Sequence, residues 1–263
     1  MVARMLYRHR KTSGLWLIGL LLLPATADVH AQGWRWPDKS ENLQVLHEDT
    51  SGDQLSDIMR GFTAALGVRC EHCHDDSNGS RLDQMDFAAD TKETKEITRL
   101  MLQMVQRING EELTEIERAD VAADAEKVRV TCVTCHRGVA LPRMLGDVLA
   151  EVVTHEGTDA GIARYRELRE QYYGGFSYDF SERVLLSFSE SLAEQGHADA
   201  AFAFLALNLE MYPESWQTHA SYAGLYMQQG DKDKAIEHLE KALAMSPDNR
   251  FLQRQLDQVK NTR

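Results

Sequence analysis

The chain has 263 residues, room for one large domain or two small ones, and a formal charge of -12 at pH 7. That excess of acid excludes a nucleic-acid partner, which needs concentrated positive charge, and suits a basic protein partner. All four cysteines fall in two short segments, so thiol chemistry is confined to two places.

In chain order, residues 1–31 read as a signal peptide. Arg4, Arg8, Arg10 and Lys11 form a basic start, residues 15–23 are an apolar run that Pro24 ends, and Ala31 offers a cleavage point. A spanning helix needs about 20 apolar residues, more than this run supplies, so cleavage is expected rather than retention as an anchor. Cleavage leaves a charge of about -15. No later segment is apolar enough to span a membrane, and no cysteine stands near the cut to take a lipid. The expected destination is the periplasm of a Gram-negative bacterium.

The stretch "SGDQLSDIMRGFTAALGVRC" (51–70) predicts a helix. Leu55, Ile58, Met59, Phe62 and Leu66 recur at helical spacing. Thr50 or Ser51 caps its start with Asp53 close behind, and Gly67 ends it. The chain then delivers "CEHCH" (70–74). A second helix is predicted in "DTKETKEITRLMLQMVQRIN" (90–109), with Ile97, Leu100, Met101, Met104, Val105 and Ile108 on one face. The charged stretch that follows reads as a short helix, anchored by Leu113 and Ile116, and a surface loop. "CVTCH" (132–136) comes next, followed by Arg137, Gly138 and a helix-breaking Pro142.

Three chemistries compete for these cysteines. An exported chain can form two disulfides. Two C-x-x-C pairs can hold one zinc. Each C-x-x-C-H can attach a c-type haem. Only the haem reading uses the histidine of each motif: the thiols add across the porphyrin vinyl groups, and the adjacent imidazole reaches the iron from one face. A thioredoxin-like redox pair would need a strand-to-helix setting that the sequence lacks. Two covalent haem c groups are therefore expected. One sits on Cys70 and Cys73 with His74 as ligand, the other on Cys132 and Cys135 with His136. His72 occupies a variable position and reads as a neighbour of the haem edge.

Each iron has a second axial face. Met59 lies on the first apolar stripe, and the helix from it to the turn rises about 12 Å, close to the width of a haem. Met101 and Met104 both qualify for the second iron. Core filling is the other use of all three. A thioether ligand raises the haem potential relative to a second histidine. Arg137 can pair with a haem propionate.

"LQVLHEDTSGDQLSDIMRGFTAALGVRCEHCH", "ITRLMLQMVQRIN" and "VTCVTCHRG" resemble the photosynthetic reaction-centre cytochrome c subunit family, over residues 40–142. The resemblance implies a helix bearing the methionine ligand before each motif, with Met59 serving the first haem and Met101 favoured over Met104 for the second. Its well-known members carry four haems and donate electrons to a photo-oxidised pigment pair. With two motifs, this chain resembles a reduced, two-haem relative.

The C-terminal half repeats. Gly196 and Gly230 are 34 residues apart, as are Pro213 and Pro247; Ala201 aligns with Ala235 and Leu205 with Leu239. This is the period of tetratricopeptide repeats. The second unit adds Tyr222, Ala223, Tyr226 and Ala242 at expected positions. Helical hairpins are predicted over 182–215 and 216–249, with an end helix at 250–263 that keeps Leu252 and Leu256 for packing. One more helix is predicted within 157–174.

The fold expected is all-α. A dihaem cytochrome c domain occupies 32–148, a linking helix region 149–181, and an α-solenoid of tetratricopeptide-like hairpins 182–263. The function expected is electron transfer between a redox donor and an acceptor, an electron carrier rather than a substrate-converting enzyme. The alternatives are a dihaem peroxidase-like oxidoreductase, which needs one open iron face beside acid-base groups, and a haem-based sensor or scaffold. The repeats are expected to bind a protein, mediate self-association or buttress the haem domain.

Overall fold

The computed structural model describes residues 34–118 and 128–261. The signal peptide predicted at 1–31 lies outside them, as does most of the surface loop predicted before the second motif. The chain divides into two compact units at Arg35, and the second, from Trp36 onward, contains all the described helices.

The described residues are helical, with a single isolated bridge between Asp75 and Asp86 in place of any sheet. Helix α1 (Gly52–Leu66) starts at a reciprocal cap: the Ser51 side chain accepts from Gln54 N–H, and the Gln54 side chain from Ser51 N–H. Gly67 ends it in the left-handed conformation, φ 66°. Helix α2 (Glu93–Arg107) has acids in its first turn and Arg107 in its last, matching the helix dipole. It runs through a π-helical turn (Ile108–Glu112) into α3 (Leu113–Arg118), so the second helix and the short helix expected after it are continuous. The second cysteine motif forms α4 (Cys132–His136).

From Leu145 onward the chain stacks helical hairpins. Helix α5 (Leu145–Glu156) pairs with α6 (Thr158–Tyr172). Helix α7 (Glu182–Glu194) pairs with α8 (Ala198–Met211), and α9 (Trp216–Gln228) with α10 (Lys232–Met245). Helix α11 (Arg250–Asn261) closes the stack. Helix α5 is the element that sequence reading did not resolve. It turns the isolated helix expected at 157–174 into the second half of a complete hairpin.

One core runs from α5 to α9 through Leu149, Tyr165, Leu168, Leu185, Phe204 and Leu205. Phe188 meets Phe204 edge to face at 4.8 Å. Gly161 lets α5 and α6 approach, since a Cβ there would lie 2.5 Å from the Val153 side chain. A second core joins α9, α10 and α11, where Ala223, Ala235 and Ala242 are small at the crossing and Leu252, Leu256 and Val259 cover the end. The buried Asn208 donates to Thr218 Oγ1 at 2.7 Å, tying the two repeats together.

Between α9 and α10, His219 Nδ1 and His238 Nδ1 lie 3.1 Å apart, and the His238 ring stacks on Tyr222 at 4.6 Å. Burial, then the facing His219, depresses His238 from 6.5 to about 4. In that interval the unfolded chain binds more protons than the folded one. The stability contribution is therefore complete above pH 6.5 and is lost as pH falls toward 4. A melting temperature that drops between pH 7 and about pH 5 is expected. His238→Phe keeps the stack and should make that drop shallower, the half-buried His74 supplying the remainder; an unchanged profile in the variant would remove the assignment.

Candidate functional site

Both motifs are single helical turns. In the first, Cys73 N–H and His74 N–H both donate to Cys70 O, at 3.2 and 3.0 Å. In the second, Thr131 and Thr134 form a reciprocal cap ahead of Cys132. A turn of this kind places thiols three residues apart on one side, with the following histidine beside them. All four thiols are free. Among the described residues no three His, Cys, Asp or Glu side chains gather where they could hold a metal ion. The cysteines thus stand as two separate pairs and do not converge on one zinc.

The two histidines are prepared differently. His136 Nδ1 lies 3.0 Å from Val139 O. A carbonyl can only accept, so Nδ1 is the donor and Nε2 is the ring nitrogen left to meet a metal. This bond spans a tight turn in which Arg137 is left-handed at φ 50° and Gly138 follows at φ 90°. His74 is half-buried against the edge of Phe87 at 4.9 Å. Burial first, and Lys95 second, lower its pKa from 6.5 to about 4, while the Phe87 backbone opposes them. At neutral pH its ring is uncharged, the form that ligates iron.

Neither pentapeptide stands alone. Helix α2 fastens the first motif: Thr94 donates to His72 O, Lys92 to Glu71 O and, at 2.7 Å, to Asp76, and Thr98 Oγ1 lies 3.7 Å from Cys73 Sγ. Lys95 gathers the carbonyls of Phe87, Ala88 and Ala89 at 3.1, 3.1 and 2.8 Å, which holds Phe87 against His74. Helix α1 fastens the second motif. Ala65 O accepts from Gly138 N–H at 2.8 Å, and a Cβ on Gly67 would lie 2.0 Å from Gly138 O. Each helix that precedes one motif is thereby tied to the other. Asn109, in the π-helical turn after α2, adds a closed pair with Val130: it accepts from Val130 N–H at 2.8 Å and donates to Val130 O at 2.7 Å.

Between α2 and its own motif lies a groove of about 460 Å³, lined by Leu102, Val105, Gln106, Asn109 and the 129–132 segment. This is within the usual range of ligand pockets. Beside it Ile97, Leu100, Met101 and Met104 form an exposed apolar row. Met101 is 43% and Met104 38% exposed, so neither fills a core. Around the helix Met101 stands about 40° from Val105 and Met104 about 100°, which sets Met101 closer to the groove wall. Met59 is half-buried on α1. Arg137 has an exposed side chain, and its fixed part is its backbone. The donor set fits haem c: paired thiols on a turn, a neutral imidazole, an apolar wall and a thioether on a neighbouring helix. Sequence reading missed Lys92, Thr94, Lys95, Thr98 and Asn109, because each acts through a contact with a residue distant in the chain.

Residues 21–186 match the family model described as photosynthetic reaction centre cytochrome C subunit, and residues 192–256 match a tetratricopeptide repeat model. The chain is similar to the photosynthetic reaction center cytochrome c subunit of Roseobacter denitrificans, 36% identical over 107 residues. That match covers 40% of this chain and 26% of the relative, so the chain spans about a quarter of the length of the curated relative it matches.

The fastenings can be weighed by substitution. Gly67→Ala meets both a strained φ and the Gly138 carbonyl, and should destabilise the protein by more than about 1 kcal/mol. Asn109→Ala loses both Val130 bonds, at about 1 kcal/mol each. Asn109→Asp keeps the acceptor and should fall between. Denaturant titration of the purified variants checks the order; equal stability of all three with the parent would remove the fastening account.

Proposed function

The chain belongs to the photosynthetic reaction centre cytochrome c subunit family, and on that premise we propose that it is an exported two-haem carrier passing electrons between redox proteins. Family membership carries with it covalently bound haem c and a place in electron transfer. The tetratricopeptide match adds a protein-interaction module. The finer reading gives one haem to Cys70, Cys73 and His74 and a second to Cys132, Cys135 and His136. The observation that carries it is the His136 Nδ1 bond to Val139 O at 3.0 Å, which leaves Nε2 as the nitrogen for a metal in a helical turn that also bears Cys132 and Cys135.

Met59 is proposed as the sixth ligand at the first motif, and Met101 at the second in preference to Met104. Haem c, when bound, supplies a one-electron ferric/ferrous couple. The chain's own task is to hold both axial donors in place through the change of charge, so that little reorganisation accompanies transfer. Two imidazoles and two thioethers do this without moving a proton. Val139 O accepts the Nδ1 proton of His136, which fixes the ring's tautomer and raises its donor strength. Leu102, Val105 and the row on α2 offer the apolar surface that excludes water. The Arg137 side chain is proposed to pair with a propionate. Residues 1–31 are proposed to direct export to the periplasm, and the repeats to meet a protein partner or a second copy.

Mass spectrometry of the purified protein should show two haems per chain, and the Cys70→Ala/Cys73→Ala double variant one. The oxidised protein should display the long-wavelength methionine-to-ferric charge-transfer band. Met59→Leu should lose part of that band and open one haem to cyanide. A parent protein with a high-spin haem that binds cyanide or peroxide readily would overturn the carrier reading in favour of a peroxidase.

A further inference from the structure

The turn that carries His136 is held from two sides. On one side Gly138 N–H donates to Ala65 O of α1 at 2.8 Å. On the other, Ser177 Oγ donates to Arg137 O at 2.7 Å. Ser177 belongs to the 173–181 loop between α6 and α7, so this second hold comes from the helical hairpins. Ser177 is only 7% exposed, which keeps water from competing for its hydroxyl. Its Oγ would sit 3.4 Å from a Cβ on Gly138, so the loop packs closely over the turn.

The loop is itself fixed. Tyr212, which caps the end of α8, donates to Phe180 O, Phe180 is buried edge-on against Tyr165 of α6 at 5.8 Å, and Tyr178 meets Tyr172 at 5.4 Å. The held element is strained: Arg137 is a non-glycine residue at φ 50°, a conformation that persists where the surroundings over-determine it. Two bonds close the same turn, Val139 N–H to His136 O and His136 Nδ1–H to Val139 O, each 3.0 Å. Movement of the Arg137 peptide therefore changes the distance on which the His136 Nδ1 bond depends.

We infer that Ser177 is a positioning residue for the second iron site: by holding the Arg137 carbonyl it sets the strength of the His136 Nδ1–Val139 bond, and so couples the helical hairpins to the potential of that haem. The inference rests on the reading of His136 as an iron ligand. Its sign follows from ligand chemistry. A strong Nδ1–H donor bond makes the imidazole a better donor and favours ferric iron. Loss of the Ser177 hydroxyl loosens the turn, weakens that bond and raises the potential of one haem.

The experiment is a redox titration of the full-length holoprotein, followed by absorbance, for the parent and for Ser177→Ala, Ser177→Cys and Ser177→Thr. Peptide mass spectrometry first locates haem on the 132–136 segment of the parent; its absence there sinks the ligand reading itself. With haem in place, one of the two midpoint potentials should shift upward in Ser177→Ala, shift less in Ser177→Cys, whose thiol is the weaker donor, and return in Ser177→Thr. The other potential should stay fixed. Both potentials unchanged, or both moving together, would overturn the inference, and a lowered melting temperature without a shift would assign Ser177 a structural role only. Should Ser177→Ala fail to fold, the Cys and Thr pair carries the same comparison.

Discussion

Five residues cannot hold themselves in a helical turn. Forming the first turn fixes several backbone angles for one hydrogen bond, so an isolated pentapeptide stays open in water. Yet C-x-x-C-H must be a turn if two thiols and an imidazole are to face one way. The rest of this structure answers that constraint. Lys92 and Thr94 reach from α2 to the carbonyls of the first motif. Asn109 pins the approach to the second, while the end of α1 and the loop before α7 close on its exit. The helices of the front half act on the motifs by supplying these contacts.

The crossed fastening has a thermodynamic corollary. Contacts that join one motif to the helix of the other make the two sites a single cooperative element. Helix α2 is central to it. Lys92 and Lys95 on one side meet acids and carbonyls near the first motif, and Leu102 and Val105 on the other wall the groove beside the second. The cations sit among Asp76, Asp90 and Glu96, so the site is strongly polar yet locally balanced. Burial more than any one charge keeps His74 neutral.

Much of this was legible in the sequence where the signal is local. Ser51 and Gly67 bound α1 as their capping chemistry dictates, and the 34-residue period places Gly196 and Gly230 at the hairpin turns, both at positive φ. The motifs, and the helix before each, follow from spacing alone. Helix α5 carries a local signal as well: Leu145, Val148, Leu149, Val152 and Val153 recur at helical spacing. Pro142, three residues before its start, reads as the end of the preceding segment and masks that signal. The contacts of Asn109, Lys95 and Ser177 were not legible. An asparagine that bonds the backbone of residue 130 looks, in sequence, like any helix-ending asparagine. The exposed row on α2 reads in sequence as one face of a helix, with no signal of whether it is covered.

Where Gly67 passes Gly138, two main chains cross with only hydrogens between them. Side chains at a contact can relax by exchanging rotamers, but a peptide pressed on a peptide has no such freedom. The separation of the two anchor segments is thus a length written into the backbone, narrow in distribution and indifferent to most surface substitutions. Tunnelling falls off exponentially with length. In a chain with an iron on each segment, that crossing would act as a ruler, giving internal charge transfer one rate where a hinged pair of sites would have a spread.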